Sequence, residues 1–146
     1  MSPEQLFSLC GMLVLPGWLL LVVLPRWKWT ARLVCPVVIP LSLALVYLWL
    51  VATNFGRTPG DFGSLEGVSQ LFQNRWVLLA GWIHYLAFDL FVGAWEVRDA
   101  QRTGIHHLLV VPCLALTFLL GPIGLLLYFV LRAALRRKLP VGGEVV

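Results

Sequence analysis

One apolar stretch of the chain holds the groups that could do chemistry: Trp82-Ile83-His84-Tyr85-Leu86-Ala87-Phe88-Asp89-Leu90-Phe91-Val92-Gly93-Ala94-Trp95-Glu96. An acid in the middle of such a stretch costs about 2.5–3.5 kcal/mol to place in hydrocarbon. Asp89 must therefore face protein or water and have a partner. In a helix turning about 100° per residue, Trp82, Tyr85, Asp89 and Glu96 fall within about 60° of one another, with Gly93 just beyond. That stripe offers an indole, a phenol, a carboxyl, a small-residue gap and a second carboxyl. Tyr85 is one turn before Asp89, in reach of a hydrogen bond. His84 lies about 140° from Asp89, on the face of Phe88, Phe91 and Trp95. For His84 and Asp89 to share a cavity, helices must pack on both sides of this one. Asp89 reads as a proton carrier or as a structural hydrogen bond. His84 reads as a reacting group or a satisfied core histidine. Glu96, at the border, reads as part of the site or as a group reaching water.

The elements that must position these groups follow from composition. The chain has 146 residues, 60% of them hydrophobic and 12% charged, with a mean hydropathy of +0.86. A soluble domain is about half apolar and about a quarter charged. Too little polar surface is available to cover a water-soluble globule, which excludes an ordinary soluble enzyme, a disordered chain and a small disulfide scaffold. A helix needs about 20 apolar residues to cross about 30 Å of hydrocarbon. Four segments meet this, near residues 6–24, 33–53, 76–97 and 108–131. The expectation is an all-α, single-domain integral membrane bundle of four transmembrane helices. The first segment lacks a basic start and is expected to be a mature span rather than a signal peptide.

Between the second and third spans, turn residues run from Asn54 to Gly63. Ser64 then caps an expected amphipathic helix near 64–74, with Leu65, Val68, Leu71 and Phe72 on one face. It reads as an interfacial linker or as a lid. Prolines at 16, 36, 40, 112 and 122 mark expected bends, sharpest at Gly121-Pro122, which serve packing or make room for a ligand. Trp27, Trp29, Trp49, Trp76 and Trp95 sit at span borders, as an aromatic belt does.

The formal charge is +4. The cations flank apolar runs, with a basic tail over 132–146, so they read as anchors against head groups rather than a nucleic-acid surface. Over four spans the Lys and Arg divide 6 against 5 between the two sides, which leaves orientation open. Cys10, Cys35 and Cys113 lie in apolar runs with no CxxC spacing. No metal site and no cofactor is expected, and no GxSxG, HExxH or phosphate-binding loop occurs.

The stretch Trp82-Ile83-His84-Tyr85-Leu86-Ala87-Phe88-Asp89-Leu90-Phe91 resembles the signature of the abscisic-acid-deficient-four-like family, small multi-pass membrane proteins of plants, algae and bacteria. Leu65-Glu66-Gly67-Val68 and Gly121-Pro122-Ile123-Gly124-Leu125 support the resemblance, which covers most of the chain. Plant members are linked to making neoxanthin from violaxanthin, so the resemblance implies an isomerase or binder of a carotenoid-like isoprenoid lipid. Such a step needs a proton donor to an epoxide oxygen and a base for a carbon-bound proton. His84 and Asp89 are then the candidate catalytic residues. Trp82, Tyr85, Phe88, Gly93, Glu96, Gly121 and Pro122 are candidate ligand contacts. The implied location is a bacterial inner membrane, or a plastid-type membrane in a photosynthetic host. From the mid-membrane acid alone, a proton-coupled or small-solute transporter and a structural subunit docking through the Tyr85–Glu96 stripe are the alternatives.

Overall fold

The computed structural model describes residues 1–54 and 56–136, and among them all regular structure is helical. Helix α1 (Pro3–Val23) opens on Ser2, whose hydroxyl accepts from the Gln5 N–H at 3.3 Å while the Gln5 side chain accepts from the Ser2 N–H at 2.8 Å. Two end donors that hydrocarbon cannot satisfy are thereby paired. Helix α2 (Thr30–Asn54) is π-helical over Thr30–Val38, around Pro36. The widened turns accommodate a residue that has no N–H to give.

Helix α3 (Leu65–Gln73) is capped by Ser64, which accepts from the Gly67 N–H at 3.0 Å. Helix α4 (Arg75–Thr103) starts at Asn74, whose Oδ1 accepts from the Trp76 and Val77 N–H groups at 2.9 and 3.4 Å. Helices α5 (His107–Leu120) and α6 (Pro122–Arg136) complete the described chain. The expected basic tail lies outside the described residues from 137 onward.

Lengths separate two classes of helix. At 1.5 Å per residue, the 21, 25 and 29 residues of α1, α2 and α4 reach about 32, 37 and 44 Å, enough to cross about 30 Å of hydrocarbon. These three are long and apolar enough to cross a membrane. By the same rise, the 14 and 15 residues of α5 and α6 reach only about 21 and 22 Å. The apolar run near 108–131 is therefore two helices, not the one helix expected from its length. Gly121 takes a φ of 50°, a left-handed conformation open to glycine, and Pro122 starts α6 where its missing N–H removes no helical bond. The expected kink is a break.

Contacts fix the directions around α4, which lies at the centre. Along α1 the partners rise together: Glu4 pairs with Arg75, Phe7 meets Trp82, and Trp18 covers Gly93. Along α2 one number falls as the other rises: Trp49 meets Trp76, Tyr47 meets His84, and Arg98 donates to the Ala31 carbonyl at 2.7 Å. Helix α5 also runs against α4, with Phe118 at Tyr85 and Leu114 at Gly93. Helix α6 runs with α4: Gly121 at Asp89, Tyr128 at Trp95, Arg132 at Asp99. Val14, Leu21, Leu43, Leu50, Ile83, Leu90 and Leu114 fill the core. Leu19, Leu45, Leu48 and Leu126 are more than 60% exposed on the outer surface, a distribution suited to a lipid surround.

Candidate functional site

Asp89 is half-buried, and its carboxyl lies against the break between α5 and α6. A Cβ on Gly121 would come within 3.0 Å of Asp89 Oδ1. Oδ2 is buried and has no hydrogen-bond partner. Tyr85 lies beside Asp89, as expected, and gives its hydroxyl proton to the Phe118 carbonyl at 3.0 Å. That bond ties α4 to the last turn of α5, where helix carbonyls lack backbone donors. Asp89 and Gly121 are therefore brought together, as a shared site requires, while the second acceptor position of Asp89 stays open.

Above Asp89 the space between α1, α4 and α5 forms a groove of about 230 Å³, walled by Phe7, Val14, Trp82, Tyr85 and Phe118. On the other side of Phe7 and Trp82, which wall both, a mouth of about 430 Å³ lies at the start of α1 and α4. The Glu4–Arg75 ion pair stands at that mouth, and both side chains are more than half exposed. The groove is apolar along its length, polar at one end, and one helical turn from Asp89 at the other.

His84 faces elsewhere. Its ring stacks on Phe88 at 4.5 Å and lies 5.9 Å from Tyr47. It lines a separate cavity of about 280 Å³ between α2, α3 and α4, under Leu71 and Phe72. Helices do pack on both sides of α4, but they divide the two expected catalytic groups between two cavities. Gly93 is not open to a ligand, because the Trp18 indole fills its gap; a Cβ there would come within 2.8 Å of the ring. Phe88 and Pro122 are exposed on the outer surface.

The expected border position of Glu96 is overturned: it is fully buried. Thr117 donates to Glu96 Oε1 at 3.0 Å, and Oε2 has no hydrogen-bond partner. One turn on, Asp99 accepts from Tyr128 at 2.7 Å and from Arg132 Nε at 2.5 Å and Nη2 at 3.3 Å. Arg132, expected among the anchoring tail cations, is 6% exposed and belongs to the interior. Asp99, Thr117, Tyr128 and Arg132 were not singled out from the sequence. Spacing offered one clue: Asp99 follows Glu96 by three residues and so shares its face. Among the described residues no three His, Cys, Asp or Glu side chains converge as metal ligands do, and all three cysteines are buried and free.

Carboxyls held inside apolar helices, beside an apolar groove, define a membrane protein that is helical over its described residues and has a polar interior. The chain belongs to the ABA4-like family, whose family model, described as ABA DEFICIENT 4-like, matches residues 5–128. Protein ABA DEFICIENT 4, chloroplastic, of Arabidopsis thaliana is 27% identical over 145 residues, a match covering 92% of this chain and 64% of that protein. The chain thus spans a little under two thirds of the length of that curated relative. No solved structure matches. The family match includes the groove, Asp89, Glu96, Gly121 and Tyr128, and ends before Arg132.

Proposed function

We propose that the chain is a multi-pass membrane protein that binds an elongated isoprenoid lipid of carotenoid type in the groove between α1 and α4, with Asp89 as its reacting acid. The observation that carries this is the groove itself: apolar, walled by Trp82 and Tyr85, and ending one helical turn from the Asp89 carboxyl, whose Oδ2 has no hydrogen-bond partner. A long apolar ligand entering from the bilayer leaves a solvent as apolar as the groove, so its retention rests on van der Waals packing against the groove walls. Where the ligand carries a strained oxygen ring, Asp89 gives it a proton, a second group removes one from carbon, and no electrons are exchanged. Glu96 is two turns further along the same face, about 10 Å by helix rise. His84 serves the other cavity. In this reading α3 lies at the membrane interface, and the host membrane is a bacterial inner membrane or a plastid-type membrane.

The test uses wild-type and Asp89→Asn protein purified in mild detergent from the native membrane. Visible absorption and mass spectrometry of extracted lipid give the readout. A polyene or terpenoid enriched in wild type and altered or lost in Asp89→Asn supports the reading. Bulk phospholipid alone, the same in both, overturns it. The two open carboxyl oxygens at Asp89 and Glu96 also favour a second reading, proton-coupled transport. Reconstituted vesicles with no flux driven by a pH gradient count against that one.

A further inference from the structure

We infer that α5 and α6 form a re-entrant hairpin which enters and leaves the membrane on one side, and that this side faces the anionic cytoplasmic leaflet. The inference rests on the fold and its charges, and does not depend on the ligand proposed above.

Three observations carry the hairpin. Neither helix reaches across, at about 21 and 22 Å by helix rise. Their directions are opposite: α5 starts beside the end of α1, where His107 Nε2 lies 3.0 Å from the Val22 carbonyl, and α6 returns to Asp99 through Arg132. The tip, Gly121, meets Asp89 at mid-length of α4. A chain reversal at that depth is tolerated only where protein covers it and its polar groups are paired. Gly121 is buried, its N–H donates to the Thr117 carbonyl at 3.0 Å, and its carbonyl accepts from the Gly124 N–H at 3.0 Å.

This path redistributes the charges. If the last apolar segment crossed, Arg132 and Arg136 would join Arg57 and Arg75, and the described cations would divide four against five. With the hairpin, Arg26, Lys28, Arg32, Arg98, Arg102 and Arg136 share one end, six against the two of Arg57 and Arg75, with Arg132 paired to Asp99 inside that end. Glu4, Asp61 and Glu66 lie at the opposite end. Lys and Arg near span ends favour the cytoplasmic side, where anionic head groups attract them. The end holding the α1–α2 turn therefore contacts anionic phospholipid. The Glu4–Arg75 mouth of the groove opens to the other leaflet.

The experiment places single reporter cysteines at Ser69→Cys, Lys28→Cys and Leu135→Cys in the full chain, with wild type as the blank because its own cysteines are buried. A membrane-impermeant maleimide is applied to intact cells and to inside-out vesicles. Ser69→Cys should label several-fold faster in cells, and Lys28→Cys and Leu135→Cys several-fold faster in inside-out vesicles. Leu135→Cys labelling on the side of Ser69→Cys overturns the hairpin. Lys28→Cys labelling in intact cells overturns the orientation. Where Leu135→Cys labels from neither side, a fluorescent or periplasmic-enzyme fusion after Val146 decides: a fusion on the side of Lys28→Cys supports the hairpin, and one on the side of Ser69→Cys overturns it.

Discussion

Replacing Arg132 with methionine should destabilise the folded bundle by about 3–5 kcal/mol, the cost of leaving one partner of a buried ion pair alone. The geometry gives the reason. Arg132 holds both carboxylate oxygens of Asp99, at 2.5 and 3.3 Å, and both side chains are nearly excluded from solvent, at 7% and 11% exposure. Without the guanidinium, Asp99 keeps only the Tyr128 hydroxyl at 2.7 Å. In a lipid-like solvent the separated helices also find polar partners, which draws the value toward the lower end. At about 1.4 kcal/mol per factor of ten, the unfolded fraction rises by roughly 10²-fold or more. Unfolding in mixed micelles measures this, and tryptophan fluorescence follows the docking of α6 because Trp95 lies 5.6 Å from Tyr128. The double variant Asp99→Asn with Arg132→Met keeps an acceptor for Tyr128 and removes the stranded charge, so it should regain at least half of the loss. A loss below about 0.5 kcal/mol in the single variant, or a double variant no better than the single, refutes the reasoning.

Gly93→Val pushes a branched side chain into the Trp18 indole, so a loss of about 1–3 kcal/mol is expected in the same unfolding assay, and Trp18→Leu should relieve it. Gly121→Ala forces a side chain into a left-handed backbone and against Asp89 Oδ1, with an expected cost of about 1–2 kcal/mol and weaker lipid retention in the extraction assay.

Much of the fold was legible because hydrocarbon imposes simple demands. Long apolar runs, border tryptophans and the cap at Ser64 placed the first four of the six helices near their observed positions, while Gly121-Pro122 was expected only to bend a single last span. The sixth was merged with the fifth. Length and hydropathy sum over a segment and do not register a reversal of direction, and one residue, Gly121, makes it. The site was legible to the same degree. Periodicity alone put Trp82 and Tyr85 on one stripe and His84 off it, and the first two line one cavity while His84 lines another. It could not say that Trp18 fills the gap at Gly93, because that neighbour is supplied by another helix.

The sequence by itself determined the solvent, the helical class and which residues hydrocarbon must not touch. Those follow from local composition and the fixed pitch of a helix, and no partner need be known. Tertiary structure alone decided how the polar groups are matched. Glu96 with Thr117, and Asp99 with Tyr128 and Arg132, are pairs separated by 21 to 33 residues. A carboxylate near the end of an apolar run is equally consistent, in sequence, with water or with a buried cation. Only the return of α6 along α4 settles that choice, by bringing Arg132 within 2.5 Å of Asp99 where water is excluded.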